Sequence, residues 1–315
     1  MEISGVCIIG GSGFVGRSIA EQASTRGYRV RVVTRSAPRA RRLLVLPTLE
    51  TLVADPNDEK SLARCLDNMD AVVNLVGILH PGARASFDSA HVELPRKIAR
   101  ACRAAGVRQF LHMSALGASP TAPSEYLRSK AAGEAAVRES GGELPFTIFR
   151  PSVIFGESDR FLNLFARLAR MFPVIPLGGA GAKFQPIWVG DVARAFVSSL
   201  GDPRALGSAF ELCGPRVYTL EELVRFAAST IGHPRRIVAL PGALASVQAF
   251  VFEHLPGKLL TRDNLRSMSV DNVCAGPFPQ VFGFEPSPLE AVVPEYLGGT
   301  GSRARYQRFR HYAGR

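Results

Sequence analysis

The feature that most constrains the fold lies at the start of the chain. The apolar run Val6–Ile9 leads directly into Gly-Gly-Ser-Gly-Phe-Val-Gly at positions 10–16, and apolar residues then recur at helical spacing. This order predicts a buried strand, a tight glycine turn and a helix with one apolar face. A glycine turn lets backbone approach a pyrophosphate, whose charge is favoured at a helix N-terminus. The predicted dinucleotide-binding residues are Gly10, Ser12, Gly13, Phe14, Val15 and Gly16. The alternative is a turn that serves only close packing of helix on strand.

Strand and helix patterns alternate after this turn. Further strands are predicted at 28–35, 48–54, 71–79, 109–114 and 147–150, and residues 209–214 are predicted to return to the same sheet. This alternation predicts an α/β fold, a doubly wound parallel sheet (Rossmann fold) with a smaller C-terminal lid or substrate domain. The dinucleotide-binding domain is expected over 1–150 with part of 187–214. Residues 151–315 then form mostly the lid, with a basic tail at 303–315.

The end of the second predicted strand, Thr34-Arg35, indicates which dinucleotide is bound. An acidic residue here typically bonds the ribose 2′-hydroxyl of NAD(H), whereas an arginine accommodates the 2′-phosphate of NADP(H). No acidic residue occurs within 34–42, and Arg39, Arg41 and Arg42 follow. The sequence therefore favours NADP(H) over NAD(H). The alternative reading of these arginines is a solvated basic helix start.

Other cofactor contacts are expected where the later strands end, because ligands bind outside the carboxyl ends of parallel strands. Asn74 and Gly77 are expected to follow the fourth strand, and Pro151 the sixth. Asp55 follows the third strand, where it could bond the adenine amino group or cap the next turn. The sequence leaves these two roles open.

The predicted catalytic residues are Ser114, Tyr126 and Lys130. Ser114 ends the fifth strand, and Tyr126 and Lys130 are four residues apart, so both lie on one face of a helix. An ammonium beside a tyrosine is expected to lower the phenol pKa from about 10. The tyrosine could then exchange a proton with a carbonyl that the serine orients, and Lys130 would also hold the nicotinamide ribose.

Composition narrows the function classes. The net charge of +11 raises the question of nucleic acid, but no nucleic-acid-binding module accompanies it, and no such partner is expected. Five scattered cysteines without a CxxC pair predict free thiols in a reducing cytoplasm and no metal site. No apolar run reaches the length of a membrane span, and no targeting peptide is expected before the first strand.

Two features leave a peripheral membrane contact open. Apolar residues keep helical spacing over 240–255, which indicates either packing on the lid or a wall for a quinone tail or a membrane surface. The tail 303–315 contains five arginines and no acidic residue. The expected location is cytoplasmic, and a peripheral contact with the inner face of the cytoplasmic membrane stays open.

Together, GGSGFVG, the serine after the fifth strand and YLRSK resemble the short-chain dehydrogenase/reductase superfamily, in its extended and atypical branches. The segments YLRSKAAGE, RPSVIFGESDRFLN, FQPIWVGDVARAF, GPRVYTL and LTRDNL are similar to the family of the complex I accessory subunit with this fold and its bacterial relatives. That resemblance implies tightly bound NADPH with a structural role, and some relatives are linked to ubiquinone biosynthesis. Extended-branch enzymes often carry a Ser/Thr-rich sequence after the fifth strand, where this chain has Met-Ser-Ala-Leu-Gly from position 113.

Three functions follow as hypotheses. The first is an NADP(H)-binding protein with a structural cofactor, partnered by respiratory-complex subunits or serving ubiquinone metabolism. The second is an active NADP(H)-dependent reductase, dehydrogenase or epimerase that uses Ser114, Tyr126 and Lys130 on a small or isoprenoid substrate. The third is a regulatory NADP(H) sensor.

Overall fold

The computed structural model describes residues 2–82, 85–254 and 260–298. The predicted basic tail 303–315 and position 255 of the predicted apolar helix lie outside these ranges.

The helices and strands follow in chain order. The strands are β1 (Gly5–Ile9), β2 (Arg29–Thr34), β3 (Leu49–Val53), β4 (Ala71–Asn74), β5 (Gln109–Met113), β6 (Phe146–Pro151), β7 (Ile154–Phe155), β8 (Val174–Gly178), β9 (Lys183–Phe184), β10 (Ile187–Trp188), β11 (Ser208–Leu212), β12 (Tyr218–Thr219) and β13 (Arg236–Leu240). The helices are α1 (Phe14–Thr25), α2 (Ala37–Ala40), α3 (Glu59–Leu66), α4 (Leu94–Ala104), α5 (Glu125–Gly141), α6 (Leu162–Met171), α7 (Val189–Ser198), α8 (Leu220–Thr230), α9 (Gly242–His254), α10 (Arg262–Ser267) and α11 (Leu289–Leu297). A π-helical turn, Ser89–Glu93, precedes α4.

The chain divides into two compact units. Of the described residues, the first contains those within 2–152, 189–212 and 274–285, and the second contains those within 153–188, 213–273 and 286–298. The return of 274–285 to the first unit had no signal in the sequence. It brings Phe282 within 6.2 Å, centroid to centroid, of the Phe149 ring of β6.

The first unit is built on a seven-stranded sheet with the order β11-β6-β5-β4-β1-β2-β3. Every pairing in this sheet is parallel. Because the order runs outward in both directions from β1, the sheet is doubly wound, and the α/β fold predicted from the sequence is confirmed.

Helices cover this sheet and bury its strands. All five residues of β1 are buried, as expected for a parallel strand with helices on both faces. Cys7 and Ile9 point into a core formed with α3, α4 and α5, while α1 packs against α7. This arrangement fixes the carboxyl ends of the strands at one edge, which is the edge that carries the candidate site.

The fourth strand is shorter than predicted. It ends at Asn74 rather than continuing to Leu79. The Asn74 side chain accepts a hydrogen bond from the Val76 N–H at 3.1 Å, which turns the chain out of the sheet. The apolar run 75–79 therefore lies beyond the strand, at its carboxyl end.

Within its described residues, the second unit contains three two-stranded sheets, formed by β7 with β10, β9 with β12, and β8 with β13. Its core lies among α6, α8 and α11, and includes Leu162, Leu223 and Val293, which are almost fully buried. The capping box at Thr219 and Glu222 fixes the start of α8.

Two of the five cysteines differ from the prediction. Cys7, Cys65 and Cys102 are free and buried, as predicted. Cys213 and Cys274 are disulfide-bonded, so the prediction of free thiols was wrong for these two. A disulfide depends on the distance between two Cα atoms in space, and residues this far apart in the sequence give no sign of it.

Among the described residues, no helix has both the length and the apolar character that a membrane crossing requires.

Candidate active site

The glycine turn joins β1 to α1 by close backbone contacts. Gly10 has a positive φ of 85°, which favours glycine, and the Gly13 N–H donates to the Gly10 carbonyl at 3.0 Å. A Cβ at Gly16 would lie 2.5 Å from Gly11 Cα and 2.7 Å from the Gly10 oxygen. Only glycine fits there, because the helix rests directly on the turn. Phe14 and Val15 open α1, and Val15 is buried.

The end of β2 is tied to this turn. Ser12 and Thr34 share a hydrogen bond of 2.8 Å between their hydroxyl oxygens. The Ser36 N–H donates to the Thr34 hydroxyl oxygen at 3.2 Å, which fixes the bend after the strand. Arg35 lies on this bend and is exposed, and it forms none of the ion pairs seen in the described ranges. Its guanidinium is thus available to an anion beside the turn.

Asp55 and Asn74 are both occupied by local contacts. The Asp55 carboxylate accepts hydrogen bonds from the Asn57 backbone N–H at 3.0 Å and side-chain amide at 2.8 Å, so it caps the turn after β3. Asn74 is fully buried, and its amide donates to His112 Nδ1 at 3.1 Å. These bonds account for the two residues structurally, and their contact with a cofactor stays a prediction.

Gly77 and Lys130 meet at the carboxyl end of β4. A Cβ at Gly77 would lie 3.1 Å from Lys130 Nζ, so a side chain at this position would press on the ammonium. Lys130 is almost fully buried, and its Nζ donates to the Met113 carbonyl at 3.2 Å. Burial lowers the pKa of Lys130 to about 8, against the opposing effect of the Glu134 carboxylate.

Tyr126 lies in an aromatic cluster. Helix α5 begins at Glu125 with Ser124 as its N-cap, so Tyr126 and Lys130 share a helical face as predicted. The Tyr126 ring contacts Phe87 and His91 edge-on, with centroid distances of 6.1 and 5.7 Å. Burial raises the pKa of Tyr126 to about 12. The expected lowering of this pKa was therefore wrong, because the cost of burying a phenolate dominates.

Ser114 is buried directly after β5. Its hydroxyl has no hydrogen bond of good geometry within the described part of the chain, but it lies near enough to the Glu134 carboxyl to lower the pKa of that group. A buried hydroxyl without a partner is rare, and it is typical of positions that bind water or a ligand. Pro151 ends β6 next to this position, and its carbonyl accepts from the Leu116 N–H at 3.0 Å.

A buried ion pair behind these residues was missed in the sequence. The Glu134 side chain is only 2% exposed, and it accepts from Arg150 Nε at 2.8 Å and Nη2 at 2.6 Å. Arg138 also contacts it, at 3.1 Å. The signal was available in YLRSKAAGE, because the glutamate lies four residues after the lysine on the same helical face. His91 was missed too, and no local pattern marks it.

The arrangement fits a dinucleotide. The turn of Gly10, Gly13 and Gly16 offers helix N-terminal N–H groups to a pyrophosphate. Ser114, Tyr126 and Lys130 lie at the same edge of the sheet. A polar ligand bound there would supply the hydrogen-bond partner that the Ser114 hydroxyl lacks. A nicotinamide nucleotide supplies hydride transfer when it is bound. No cluster of three potential metal ligands occurs among residues 2–82, 85–254 and 260–298.

Comparison with known proteins agrees with this geometry. Residues 6–213 match the NAD dependent epimerase/dehydratase family. The mouse (Mus musculus) mitochondrial protein named NADH dehydrogenase (ubiquinone) 1 alpha subcomplex subunit 9 is 34% identical, over 94% of this chain and 81% of its own. A ceramide reductase of Caulobacter vibrioides is 32% identical, over 75% of this chain and 73% of its own.

A solved structure shows the same fold. An epimerase of Methanothermobacter thermautotrophicus has a TM-score of 0.71 and 17% identity, covering 98% of this chain and 94% of its own. The chain therefore belongs to the NAD dependent epimerase/dehydratase family, a dinucleotide-binding family of extended short-chain dehydrogenases/reductases, and within it to the relatives of complex I alpha subcomplex subunit 9.

Proposed function

We propose that this protein binds NADP(H) in its first unit and that the nucleotide has a structural role. The protein acts with respiratory-complex subunits or in ubiquinone metabolism. Support for the setting comes from the mouse relative, whose name contains NADH dehydrogenase and ubiquinone, at 34% identity over 94% of this chain. Support for the structural role comes from the protonation of Tyr126.

The pKa of Tyr126, which burial raises to about 12, carries the proposal. A phenol whose pKa lies this far above neutral does not readily form the phenolate that would accept a proton from an alcohol substrate. Lys130, the group expected to stabilise the phenolate, uses one of its three N–H donors on the Met113 carbonyl. The glycine turn has the backbone geometry that binding requires. The chain is thus better suited to holding a nucleotide than to turning it over.

Arg35 supports NADP(H) over NAD(H). It is exposed at the end of β2, beside the Ser12–Thr34 hydrogen bond, and no acidic residue lies within 34–42. Arg39, Arg41 and Arg42 are exposed as well. A 2′-phosphate beside this group would form a charge-assisted hydrogen bond with the guanidinium.

The nucleotide itself gives the first test. Protein purified under native conditions is denatured, and the released nucleotide is identified by mass. We expect NADP(H), and we expect no oxidation of bound NADPH by short-chain quinones or isoprenoid phenols. Turnover that Tyr126→Phe abolishes would contradict the structural role. A protein that neither contains nor binds a dinucleotide would contradict the proposal as a whole.

The second candidate is an active NADP(H)-dependent reductase. The observation that favours it is the buried Ser114 hydroxyl without a partner, at the edge where a substrate carbonyl would lie. The ceramide reductase relative, at 32% identity, points to a substrate with long apolar chains. Turnover separates the two functions. A reductase turns over NADPH and loses this turnover in Ser114→Ala, whereas a structural binder shows no turnover and keeps nearly the same NADPH affinity in Ser114→Ala.

An apolar surface of the second unit supports contact with a membrane. Eight side chains, between 39% and 65% exposed, lie on the end of α6 and on β8, β13 and α9: Met171, Phe172, Val174, Val238, Leu244, Val247, Phe250 and Val251. These elements are neighbours, since β8 pairs with β13 and Gln248 of α9 donates to the Pro176 carbonyl of β8. Exposed apolar side chains in such number are typical of an interaction surface.

Arginines border this apolar surface and favour an anionic lipid leaflet as its partner. Arg170 precedes Met171, and Arg236 pairs in register with Val174. Arg262, which is ion-paired with Glu253 at 3.0 Å, lies 5.4 Å from the Phe250 ring centroid. Exposed apolar side chains enter the headgroup region while arginines attract acidic lipids. This arrangement supports a peripheral location at the inner face of the cytoplasmic membrane.

Vesicle flotation tests the membrane contact. We expect binding to phosphatidylglycerol-containing vesicles that Val247→Glu weakens and that deletion of 303–315 weakens further. Val217→Glu is the matched control, because Val217 is an exposed valine outside the apolar surface. Equal binding of the Val247→Glu and Val217→Glu variants would contradict the assignment.

A further inference from the structure

His91 is a buried histidine that no cofactor contact explains. It lies in the π-helical turn Ser89–Glu93 before α4 and is 1% exposed. Single π-helical turns occur frequently at functional sites, because the extra residue re-aims a side chain. Here the turn directs the imidazole towards Tyr126 and Lys130.

The partners of His91 fix its tautomer. The Ile78 N–H donates to Nε2 at 3.0 Å, so Nε2 carries no proton. Nδ1 lies 2.8 Å from the Ser129 hydroxyl, whose own proton goes to the Tyr126 carbonyl at 2.7 Å. Nδ1 is therefore the donor, and the ring is neutral with its proton on Nδ1. Both nitrogens are fully used.

These bonds connect the two segments that carry the reactive groups. Ile78 follows Gly77, the glycine that lies against the Lys130 ammonium, and Ser129 precedes Lys130 on α5. The imidazole also meets the Tyr126 ring edge-on at 5.7 Å and stacks on Phe87 at 5.4 Å. One ring thus contacts the loop after β4, the backbone of α5 and the aromatic side chain itself.

We propose that neutral His91 is a positioning residue that holds Tyr126 and Lys130 against the Gly77–Ile78 loop. The inference rests on the proposed function for its ligand and concerns how that same site is kept in place. His91 acts through other residues: it orients the Tyr126 ring and fixes α5 relative to the loop. The site then receives a nucleotide without rearrangement, which favours affinity.

The surroundings keep the imidazole neutral. Burial lowers the pKa of His91 to about 3, and the charge of Lys130 and the neighbouring His112 act in the same direction. Ser129, Tyr126 and Phe87 complete the environment and carry no charge at neutral pH. A proton on Nε2 would face the Ile78 N–H and break that bond. The hydrogen bonds of His91 to Ile78 and Ser129 therefore stay intact across the physiological pH range.

The wild-type protein gives a direct test by NMR of ¹⁵N-labelled histidine, in which the tautomers have distinct nitrogen shifts. We expect the His91 signal, assigned by its loss in His91→Asn, to show the Nδ1–H tautomer without titration between pH 5 and pH 9. The Nε2–H tautomer, or protonation in this range, would overturn the proposal. This measurement needs no nucleotide, so it separates the proposal from the failure of the proposed function.

Two substitutions each remove one of the two hydrogen bonds of His91. An asparagine amide reaches the position of Nδ1, so His91→Asn keeps a donor for Ser129 and loses the acceptor for Ile78. A glutamine amide reaches the position of Nε2, so His91→Gln keeps the acceptor and loses the donor. We expect each variant to weaken NADPH binding about two- to tenfold, the effect of one lost hydrogen bond. His254→Asn, at an exposed histidine, is the control.

Adding Ser129→Ala to each variant distinguishes positioning from a general loss of stability. We expect it to weaken NADPH binding more in the His91→Asn background than in His91→Gln, where the bond to His91 is already absent and only the bond from Ser129 to the Tyr126 carbonyl remains to be lost. The ¹³C signal of the Tyr126 ring, assigned by its loss in Tyr126→Phe, should also shift more when Ser129→Ala is added to His91→Asn than when it is added to His91→Gln. Equal effects of Ser129→Ala in both backgrounds, with an unmoved tyrosine signal, would overturn the proposal.

Discussion

Replacing Gly16 by alanine probes the contact on which the nucleotide site is built. The added Cβ would lie 2.5 Å from Gly11 Cα and 2.7 Å from the Gly10 oxygen. Both are backbone atoms, so no flexible side chain can move aside. Carbon atoms pack at about 3.5–4.0 Å, and α1 and the turn must therefore separate by about 1 Å.

This separation has a cost in stability and in affinity. Overpacking of this kind destabilises a fold by about 1–3 kcal/mol. In a unit of this size, each kcal/mol lowers the melting temperature by about 2–4 °C. The displaced turn also loses at least one charge-assisted hydrogen bond to the pyrophosphate, which weakens NADPH binding about tenfold or more.

Two further glycines provide a graded control. A Cβ at Gly13 would lie 3.1 Å from the Gly10 oxygen, whereas a Cβ at Gly276 would meet no atom within 4 Å. We expect Gly16→Ala to be the most damaging and Gly13→Ala to be intermediate. Gly276→Ala should be neutral or stabilising by up to about 1 kcal/mol, because it restricts the unfolded chain.

Differential scanning fluorimetry and fluorescence titration with NADPH measure the two effects. If Gly16→Ala melts within 1 °C of Gly276→Ala and binds NADPH equally well, the close contact does not constrain the site, and the reasoning is refuted.

Three further predictions follow from charges in the first unit. Arg35→Asp should reverse the preference from NADPH towards NADH. Arg100→Asp, the same charge change at an exposed position of α4, should not. If the ratio of the dissociation constants for NADPH and NADH is equal in the two variants, Arg35 does not set the preference. Glu134→Gln should lower the free energy of unfolding by about 3–5 kcal/mol, because it leaves the charge of Arg150 without its opposite charge. Since the folded state lowers the pKa of Glu134 below 4.5, this difference should be present above pH 4.5 and shrink as the pH falls, as urea unfolding at several pH values would show. NADPH affinity should decline as the pH rises through about 8, where Lys130 loses its proton, and a Lys130→Met variant with the same decline would exclude Lys130 as the cause.

Much of the site could be predicted because its signals are local. The glycine turn and the helix after it follow from a backbone that only glycine allows and from apolar periodicity. The four-residue spacing of Tyr126 and Lys130 placed them on one face of α5 without any knowledge of the fold. The parallel sheet followed from the alternation of strands and helices, which leaves few topologies open.

Other features could not be predicted because they depend on what lies nearby in space. The pKa of Tyr126 follows from the extent of its burial, which the spacing of Tyr126 and Lys130 does not show. The bond between Asn74 and His112 joins neighbouring strands through side chains 38 residues apart. The disulfide-bonded state of Cys213 and Cys274 arises in the same way.

The sequence by itself determined the alternation of strands and helices up to β6 and the turn at which a dinucleotide is predicted to bind, because a glycine turn and a helical spacing constrain only residues close in the chain. Only the tertiary structure decided the pKa values of Tyr126 and Lys130 and brought His91 and Glu134 close to Lys130. Burial and electrostatic interaction depend on atoms that folding brings together from distant parts of the sequence.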